Sequence, residues 1–514
     1  MSLLPDSGMP GGKKMCCRSL KSALAIICLG LGTLAIARVK EQYPAPLIHT
    51  SANHPADRVI LISVDGMHAL DLANWVKAHP QSTLAQLSRR GVTYTNAHVP
   101  WSDGAPGMVA FATGGTPIST GILYSDAYDR ALSPPGSECK VKGAVIYLDE
   151  KADVNGDVED AGGGIDRKKM PLDPANRCQP VFPHALVRVN NIFELVHAEG
   201  GRTAWADQHP AYVDLLAGLS GKGLDDRYAP EAHVPGLKQN AAKSFEHDDL
   251  KVAAMLHWID GKDHAGLHSA AVPRLFGMTF IAVSATQKAK GMGYTDGLGT
   301  PSAGLERGLA YTDGAIGRIV AELKKESLFD STWIIVTAKY GQSPIDVKKR
   351  RIISSDDVAN VVDTVQKGLA AHVTTDTIGL IWLRDPAKTG TVVKAYRDRM
   401  AALGIQEVFS GEKLRLLMNT AEEDSRMPDI ILQPELGVIW ADKNAAILSE
   451  HGGMQNEDTN VALLVSGRQL SGRVDKTWVP TTQIAPLVLR ILGMEKMDLQ
   501  ALHQEHTPAL PGIF

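Results

Sequence analysis

Short apolar segments alternate with helix-like patterns along most of the chain. Apolar runs bounded by polar, glycine or proline residues predict buried strands at residues 58–66, 278–285, 331–338, 377–383, 428–434 and 460–466. Apolar residues at three- to four-residue spacing predict helices at residues 82–90, 303–325 and 391–403. This alternation is typical of an α/β fold in which helices cover both faces of a mostly parallel sheet. Residues 108–115 form a short apolar run that fits either element.

Two segments interrupt the alternation. Residues 128–260 are rich in proline, glycine and charge, and residues 347–448 contain two strand patterns and one helical pattern. We interpret both segments as insertions into one domain that covers residues 55–514.

The N-terminus has the pattern of an export signal. Basic residues precede the uncharged run at residues 23–37, which is shorter than the roughly 20 residues that span a bilayer. The run ends in Ala35, Ile36 and Ala37, a small-x-small cleavage site. We therefore predict a signal peptide over residues 1–37 and a secreted or periplasmic protein. A retained signal anchor, which would tie the protein to a membrane, is the alternative.

Charge and cysteine content narrow the function further. The chain has 53 Lys and Arg against 57 Asp and Glu, so it lacks the positive field that nucleic-acid binding requires, and we expect no nucleic-acid partner. Of its five cysteines, three precede the predicted cleavage site. Cys139 and Cys178 remain in the mature chain, and we predict that they form a disulfide, with two free thiols as the alternative.

Polar residues follow several of the predicted strands. They are Asp65 after the first strand, Gln287 after the second, Lys339 and Tyr340 after the third, and His451 shortly before the last. In open α/β sheets, ligands bind outside the carboxyl ends of the strands. We expect Asp65, Lys339 and His451 to meet in one cleft.

The motifs around these residues resemble those of a known family. VDG at Asp65, SDGAPGMVAFATGGTPISTGI from Ser102, KYGQSPI from Lys339 and HGG at His451 occur in the order of the type I phosphodiesterase/nucleotide pyrophosphatase blocks, within the alkaline phosphatase superfamily. More narrowly, the chain is similar to exported bacterial and fungal alkaline phosphatase family proteins. The resemblance implies an alkaline-phosphatase-like fold and the cleavage of phosphate esters at two zinc ions by a Ser or Thr nucleophile.

Several positions depart from the pattern that the resemblance implies. Asp65 and His451 match metal-ligating residues of the family, but Gly104 falls at the nucleophile position. Lys339 and Tyr340 fall where the family has a metal-ligating Asp-His pair, and Gln287 falls near a metal-ligating Asp. An ammonium group has no lone pair, so Lys339 cannot ligate zinc, and we expect it to replace a metal charge beside Asp65. The zinc ions of the family therefore lack most of their expected ligands here.

Nearby residues offer partial substitutes for the lost nucleophile. The Ser102 hydroxyl could attack phosphorus, or Asp103 could act as a general base for water. His209 and Tyr212 could face the cleft or belong to a hydrogen-bonded loop.

Two functions stay open from the sequence. One is an exported phosphodiesterase-like hydrolase with altered chemistry. The other is a catalytically silent relative that binds a small anionic, phosphate-containing ligand through Lys339 and the amides at Gly104.

Overall fold

The computed structural model describes residues 54–155, 164–230, 241–495 and 497–514. The predicted signal peptide lies outside these residues. Within the described ranges, no helix combines the length and the apolar character needed to cross a membrane.

Strands and short helices alternate through these ranges. The strands are β1 Arg58–Val64, β2 Gly91–His98, β3 Asp126–Asp129, β4 Ala144–Tyr147, β5 Leu172–Asp173, β6 Gln179–Pro180, β7 Thr203–Ala206, β8 Asp226–Tyr228, β9 Leu275–Phe280, β10 Thr332–Thr337, β11 Arg351–Ser354, β12 Ala370–Thr375, β13 Gly379–Leu383, β14 Ile405–Ser410, β15 Ile430–Pro434, β16 Val438–Ala441, β17 Asn460–Ser466, β18 Arg473–Asp475 and β19 Val479–Pro480. The helices are α1 Ala69–Ala78, α2 Thr83–Ser88, α3 Gly104–Thr113, α4 Pro117–Thr120, α5 Pro183–Leu186, α6 Ile192–Ala198, α7 Pro210–Leu216, α8 Lys243–Ile259, α9 Ala282–Lys288, α10 Ala303–Lys325, α11 Ser355–Val365, α12 Thr389–Arg397, α13 Met400–Leu403, α14 Gly411–Arg415, α15 Asn456–Thr459, α16 Ile484–Ile491 and α17 Gln500–Glu505.

A nine-stranded sheet forms the centre of the fold. Its order is β18-β2-β17-β10-β1-β9-β7-β8, with β19 beside β2. The strands from β10 to β8 run parallel, whereas β17 is antiparallel to both of its neighbours. Along β1, Val59 and Leu61 pack into one core and Ile60 and Ile62 into a second core on the opposite face. A strand buried on both faces needs an unbroken apolar run, and the predicted α/β fold with a mostly parallel sheet is confirmed.

Two elements differ from the predicted strands and helices. The strand predicted at residues 278–285 ends at Phe280, and the chain continues as α9. The Asp248 carboxylate accepts hydrogen bonds from the amides of Ile281 and Ala282, so a distant residue caps this helix. Residues 108–113 of the short apolar run belong to α3, which is buried on all sides and therefore shows no helical periodicity in its sequence; Gly114 ends the helix.

The two predicted insertions have different structures. Residues 347–448 contain a four-stranded antiparallel sheet, β12-β13-β15-β14, with a hydrophobic core of its own. Residues 128–260 include β7 and β8, which are strands of the central sheet. The first prediction was therefore too wide, because β7 is only four residues long and its pattern is lost in a segment rich in loops. The limits of the domain and of the second insertion stay predictions.

The predicted disulfide is confirmed. Cys139 and Cys178 are bonded and close a loop with a sequence separation of 39 residues. The bridge ties the loop between β3 and β4 to the residue that directly precedes β6.

Candidate functional site

A buried ion-pair cluster lies at the carboxyl ends of the central parallel strands. Asp65 follows β1, Asp207 follows β7 and Lys339 follows β10, and the parallel pairing brings these ends to one edge of the sheet. The Lys339 Nζ lies 3.4 Å from Asp65 Oδ2 and 3.3 Å from Asp207 Oδ1. All three side chains are completely buried. One ammonium thus sits between two carboxylates.

The cluster continues away from the cleft into α8. The Lys251 Nζ lies 2.9 Å from Asp248 Oδ1, and both side chains are completely buried. Asp207 also accepts hydrogen bonds from the indole of Trp205 at 2.9 Å and the hydroxyl of Thr279 at 2.7 Å. Buried charges need such partners, so this arrangement holds Asp207 in one orientation.

The pKa directions match an ionised cluster. Burial opposes the charge of Asp207, but the ammonium groups of Lys339 and Lys251 outweigh it and lower the Asp207 pKa. Burial dominates at Asp65 and raises its pKa to about 6, although Lys339 attracts its charge. Despite burial, Asp207 and Asp65 raise the pKa of Lys339, so its ammonium form is maintained.

Tyr340 and His451 lie between this cluster and the cleft. The Tyr340 hydroxyl donates to Asp65 Oδ2 at 3.2 Å, and its ring centroid is 4.0 Å from that of His451. His451 Nδ1 lies 3.9 Å from Asp103 Oδ2. Burial and the charge of Lys288 lower the pKa of His451 to about 3, so the imidazole is neutral. The structure therefore brings Asp65, Tyr340 and His451 into one contiguous group.

Tyr212 occupies the space beside Gly104. A Cβ atom at Gly104, the first residue of α3, would lie 2.3 Å from the Tyr212 hydroxyl oxygen. That hydroxyl is 2.9 Å from Ser125 Oγ, which donates to Asp103 Oδ1 at 2.6 Å. Burial and the charge of Asp103 raise the pKa of Tyr212 well above its ordinary value, so the phenol stays protonated. A phenol is thus present where a family nucleophile would extend from α3.

Asp103 is also buried in this hydrogen-bond chain. Burial raises its pKa to about 6, while the hydrogen bonds from Ser125 act in the opposite direction. Asp103 is therefore largely ionised at neutral pH, and it lies on the cleft lining.

Ser102 and Gln287 lie away from the cleft lining. The Ser102 hydroxyl donates to the main-chain oxygen of Asp458 at 2.6 Å. The Gln287 amide donates to the Gly66 carbonyl at 2.9 Å and to the Tyr294 hydroxyl at 2.7 Å. Both side chains are therefore engaged in buried hydrogen bonds behind the site.

A cleft of about 450 Å³ opens above these groups. Its lining contains four aspartates and one lysine. Burial and the charge of Glu450 raise the pKa of Asp376 well above its ordinary value, so the other three carboxylates and Lys151 give a negative balance. The lining residues are Asp103, Tyr124, Ser125, Asp126, Asp149, Lys151, Gln208, His209, Tyr212, Tyr340, Val373, Thr374, Thr375, Asp376 and His451.

Comparison with known proteins decides the family. The sequence profile of the type I phosphodiesterase/nucleotide pyrophosphatase family matches residues 59–454. The chain belongs to this family. The resemblance predicted from the sequence motifs is thereby confirmed. Membership of the family explains why the chain has the architecture of a phosphoester hydrolase. No curated protein matches the chain.

Solved structures show the same fold at low sequence identity. Murine ectonucleotide pyrophosphatase/phosphodiesterase 5 is similar with a TM-score of 0.56 and 16% identity over 86% of this chain and 96% of its own. The human protein of that name has a TM-score of 0.54 and 17% identity over 88% of this chain and 96% of its own. A variant of the alkaline phosphatase PafA has a TM-score of 0.54 and 12% identity over 86% and 96%. An inactive variant of the murine protein was solved in complex with AMP.

The zinc ions expected for this phosphodiesterase family do not fit the residues present. The place between Asp65 and Asp207 holds the Lys339 ammonium, which has no lone pair for a metal. In the described part of the chain, three ligating atoms lie within 4.8 Å of one another only at Asp260, Glu322 and Glu326, which do not line the cleft. We therefore assign no zinc-dependent step to this site.

Several cleft residues escaped the sequence analysis. Tyr124, Ser125 and Asp376 are in loops, so no preceding strand pattern marks them, and only the fold brings them to the lining. Tyr212 was noted in the sequence, but its contact with Gly104 depends on the pairing of β7 with β9, as does the contact of Asp207 with Lys339.

Proposed function

We propose that this protein is a catalytically silent member of the phosphodiesterase family whose cleft serves ligand binding. The observation that carries the proposal is the Lys339 ammonium between the Asp65 and Asp207 carboxylates. A family enzyme uses metal ions to activate a nucleophile and to stabilise the charge that develops on phosphate oxygens. A buried ammonium already neutralised by two carboxylates cannot do either.

The absent nucleophile supports the same conclusion. Gly104 has no hydroxyl, and the adjacent Tyr212 phenol has a pKa well above its ordinary value. The Ser102 hydroxyl donates a hydrogen bond to the main-chain oxygen of Asp458, behind the cleft. Loss of a nucleophile that works as part of a unit has cost on the order of a million-fold in a well-studied protease. We therefore expect no family-level turnover.

The proposed ligand is a small phosphate-containing molecule. Membership of the family and the AMP complex of the murine relative support this ligand class. The lining charge opposes it, because the carboxylates of Asp103, Asp126 and Asp149 face one lysine, Lys151, and the charge of Lys339 is already neutralised. We expect AMP to bind weakly, with a Kd on the order of 1 mM, and to bind more tightly as added salt screens the carboxylates.

Two measurements test the proposal. The purified chain is incubated with bis-p-nitrophenyl phosphate with and without added zinc, beside an active family enzyme, and we expect no release of nitrophenol above the blank. AMP binding is measured by calorimetry at two salt concentrations. Zinc-dependent turnover by the unmodified chain would refute silence, and undetectable AMP binding at both salt concentrations would refute the ligand class.

We also propose that the protein is exported. The N-terminal signal pattern and the Cys139–Cys178 bridge support an oxidising, extracytoplasmic location. Intact-mass analysis of the protein from its host tests it, because cleavage after Ala37 predicts a mature chain that starts at Arg38. A retained N-terminus would indicate the membrane-anchored alternative.

A further inference from the structure

A second lysine stands beside the other residue that matches a family metal ligand. Lys288 ends α9, and its Nζ forms an ion pair with Glu450 Oε1. The same Glu450 oxygen lies 3.6 Å from His451 Nε2. Lys288 directly follows Gln287, the position near which the family has a metal-ligating Asp. The ammonium therefore comes from the chain segment that carries a metal ligand in the family.

One aromatic stack links the two lysines through their carboxylate partners, with Tyr340 on its first side and His451 on its second. Tyr340 contacts Asp65 through its hydroxyl and His451 through its ring. Lys339 pairs with Asp65 on the first side, and Lys288 pairs with Glu450 on the second. Each ammonium is thus held by carboxylates beside a residue at a family metal position.

Because the two ion pairs are buried or nearly so, their carboxylates require a positive partner in the folded protein. The Lys339 pair is completely buried, and the Lys288 and Glu450 side chains are 26% and 16% exposed. Carboxylates held in such surroundings need a positive partner, since burial alone disfavours their charge. An ammonium or a metal ion can supply that positive charge, and in this chain the lysine ammonium occupies the space.

We propose that Lys339 and Lys288 occupy the two cation positions of this cleft, and that removing either lysine opens a site for a divalent cation. Lys339 keeps a cation from Asp65 and Asp207, and Lys288 keeps one from Glu450 and His451. This inference rests on the proposed loss of metal-dependent hydrolysis, and it extends the loss of metal binding from one position to both.

Zinc binding by single variants tests the proposal. Lys339→Ala and Lys288→Ala are each titrated with zinc, with metal content and thermal unfolding as readouts. We expect about one zinc per chain in each variant, an affinity at least about tenfold above that of the parent chain, and a zinc-dependent rise in Tm. The parent chain is expected to bind zinc at most through Asp260, Glu322 and Glu326, which lie outside the cleft and are shared by all variants, so each gain is counted above the parent.

Lys151→Ala is the matched control. Lys151 lines the cleft and pairs with Asp126 at 3.4 Å and Asp149 at 3.5 Å. Because it is half-exposed, water solvates these carboxylates when the ammonium is removed. We expect no gain of zinc in this variant. An equal gain in Lys151→Ala, or zinc in the parent chain that neither Lys339→Ala nor Lys288→Ala increases, would overturn the inference.

Two further outcomes are decisive. If Lys339→Ala folds only when zinc is added, the cation requirement at Asp65 and Asp207 is supported directly. If it does not fold with zinc, Lys339→Gln and the less buried Lys288→Ala carry the test, and absence of zinc gain in both overturns the proposal. Zinc-independent turnover by the parent chain would refute silence and leave the lysine assignment intact.

Discussion

Gly104→Ser restores the hydroxyl expected from the family, yet we predict that it destabilises the protein. The new Cβ would lie 2.3 Å from the Tyr212 hydroxyl oxygen and 2.9 Å from its Cζ. Tyr212 is 5% exposed and cannot simply swing into solvent. Overpacking costs about 1–3 kcal/mol, and displacing the hydroxyl from Ser125 costs about 1–3 kcal/mol more. Because these costs overlap, we expect the free energy of unfolding to fall by about 2–4 kcal/mol.

Helix propensity alone predicts that Gly104→Ser raises the free energy of unfolding. The experiment therefore separates this effect from the clash with Tyr212. Glycine in a helix costs roughly 0.5–1 kcal/mol relative to alanine, so a serine in open space would be neutral or stabilising. Gly314 in α10 is the matched control, because a Cβ atom added there would meet no neighbouring side chain or element within 4 Å. We expect Gly314→Ser to leave urea unfolding unchanged or to stabilise the protein slightly.

A double-mutant cycle identifies the clash as the cause. In a Tyr212→Phe background the closest atom is gone, and the cost of Gly104→Ser should fall to about 1 kcal/mol, because the ring carbon still crowds the new side chain. Urea unfolding followed by circular dichroism gives the four free energies. A Gly104→Ser protein as stable as the parent, or an equal cost in both backgrounds, would refute this reasoning.

Three other predictions follow from the same structure. Gly104→Ser combined with Tyr340→His should still lack family-level turnover of bis-p-nitrophenyl phosphate, since Lys339 remains between its carboxylates; robust zinc-dependent turnover would contradict this. Replacing both Cys139 and Cys178 by serine should lower the free energy of unfolding in urea by about 4 kcal/mol, as expected for a loop of 39 residues, and an unchanged midpoint would count against it. Burial raises the pKa of Asp458 to about 7 against hydrogen bonds from Thr377 and Ser343. The folded state therefore holds this proton more tightly than the unfolded state, and stability should fall as pH rises from about 4 to about 7. Asp458→Asn should flatten that part of the Tm profile, and an identical profile would refute the assignment.

The sequence predicted the fold where burial is complete on both faces of a strand. β1 and β10 are unbroken apolar runs, so their pattern marks them without knowledge of their neighbours. β7 is equally buried but has four residues, which is too few for any pattern. α3 is apolar all round, and its helical form depends on the elements that pack against it.

The sequence predicted those properties of the site that follow from the functional group of a single residue. The absence of a lone pair on Lys339 and of a hydroxyl on Gly104 excludes metal ligation and nucleophilic attack in any fold. The role of Tyr212 could not be derived, because it depends on how α7 packs against α3. Lys288 looks like an ordinary solvated residue at a helix end, and only the fold brings Glu450 to it.

The four-stranded sheet forms a second wall of the cleft and has a hydrophobic core of its own. Thr374 and Asp376 form part of that wall, and they are tied to the first wall by hydrogen bonds to the Asp126 carbonyl and from Tyr124. Behind them, Trp382 packs in a hydrophobic cluster shared by both walls. This hydrophobic cluster, most of whose residues do not line the cleft, therefore holds the two walls together. Substitutions of cluster residues behind the lining, such as Trp382, can change the distance between the two walls. Ligand preference can then change while every residue on the lining stays the same.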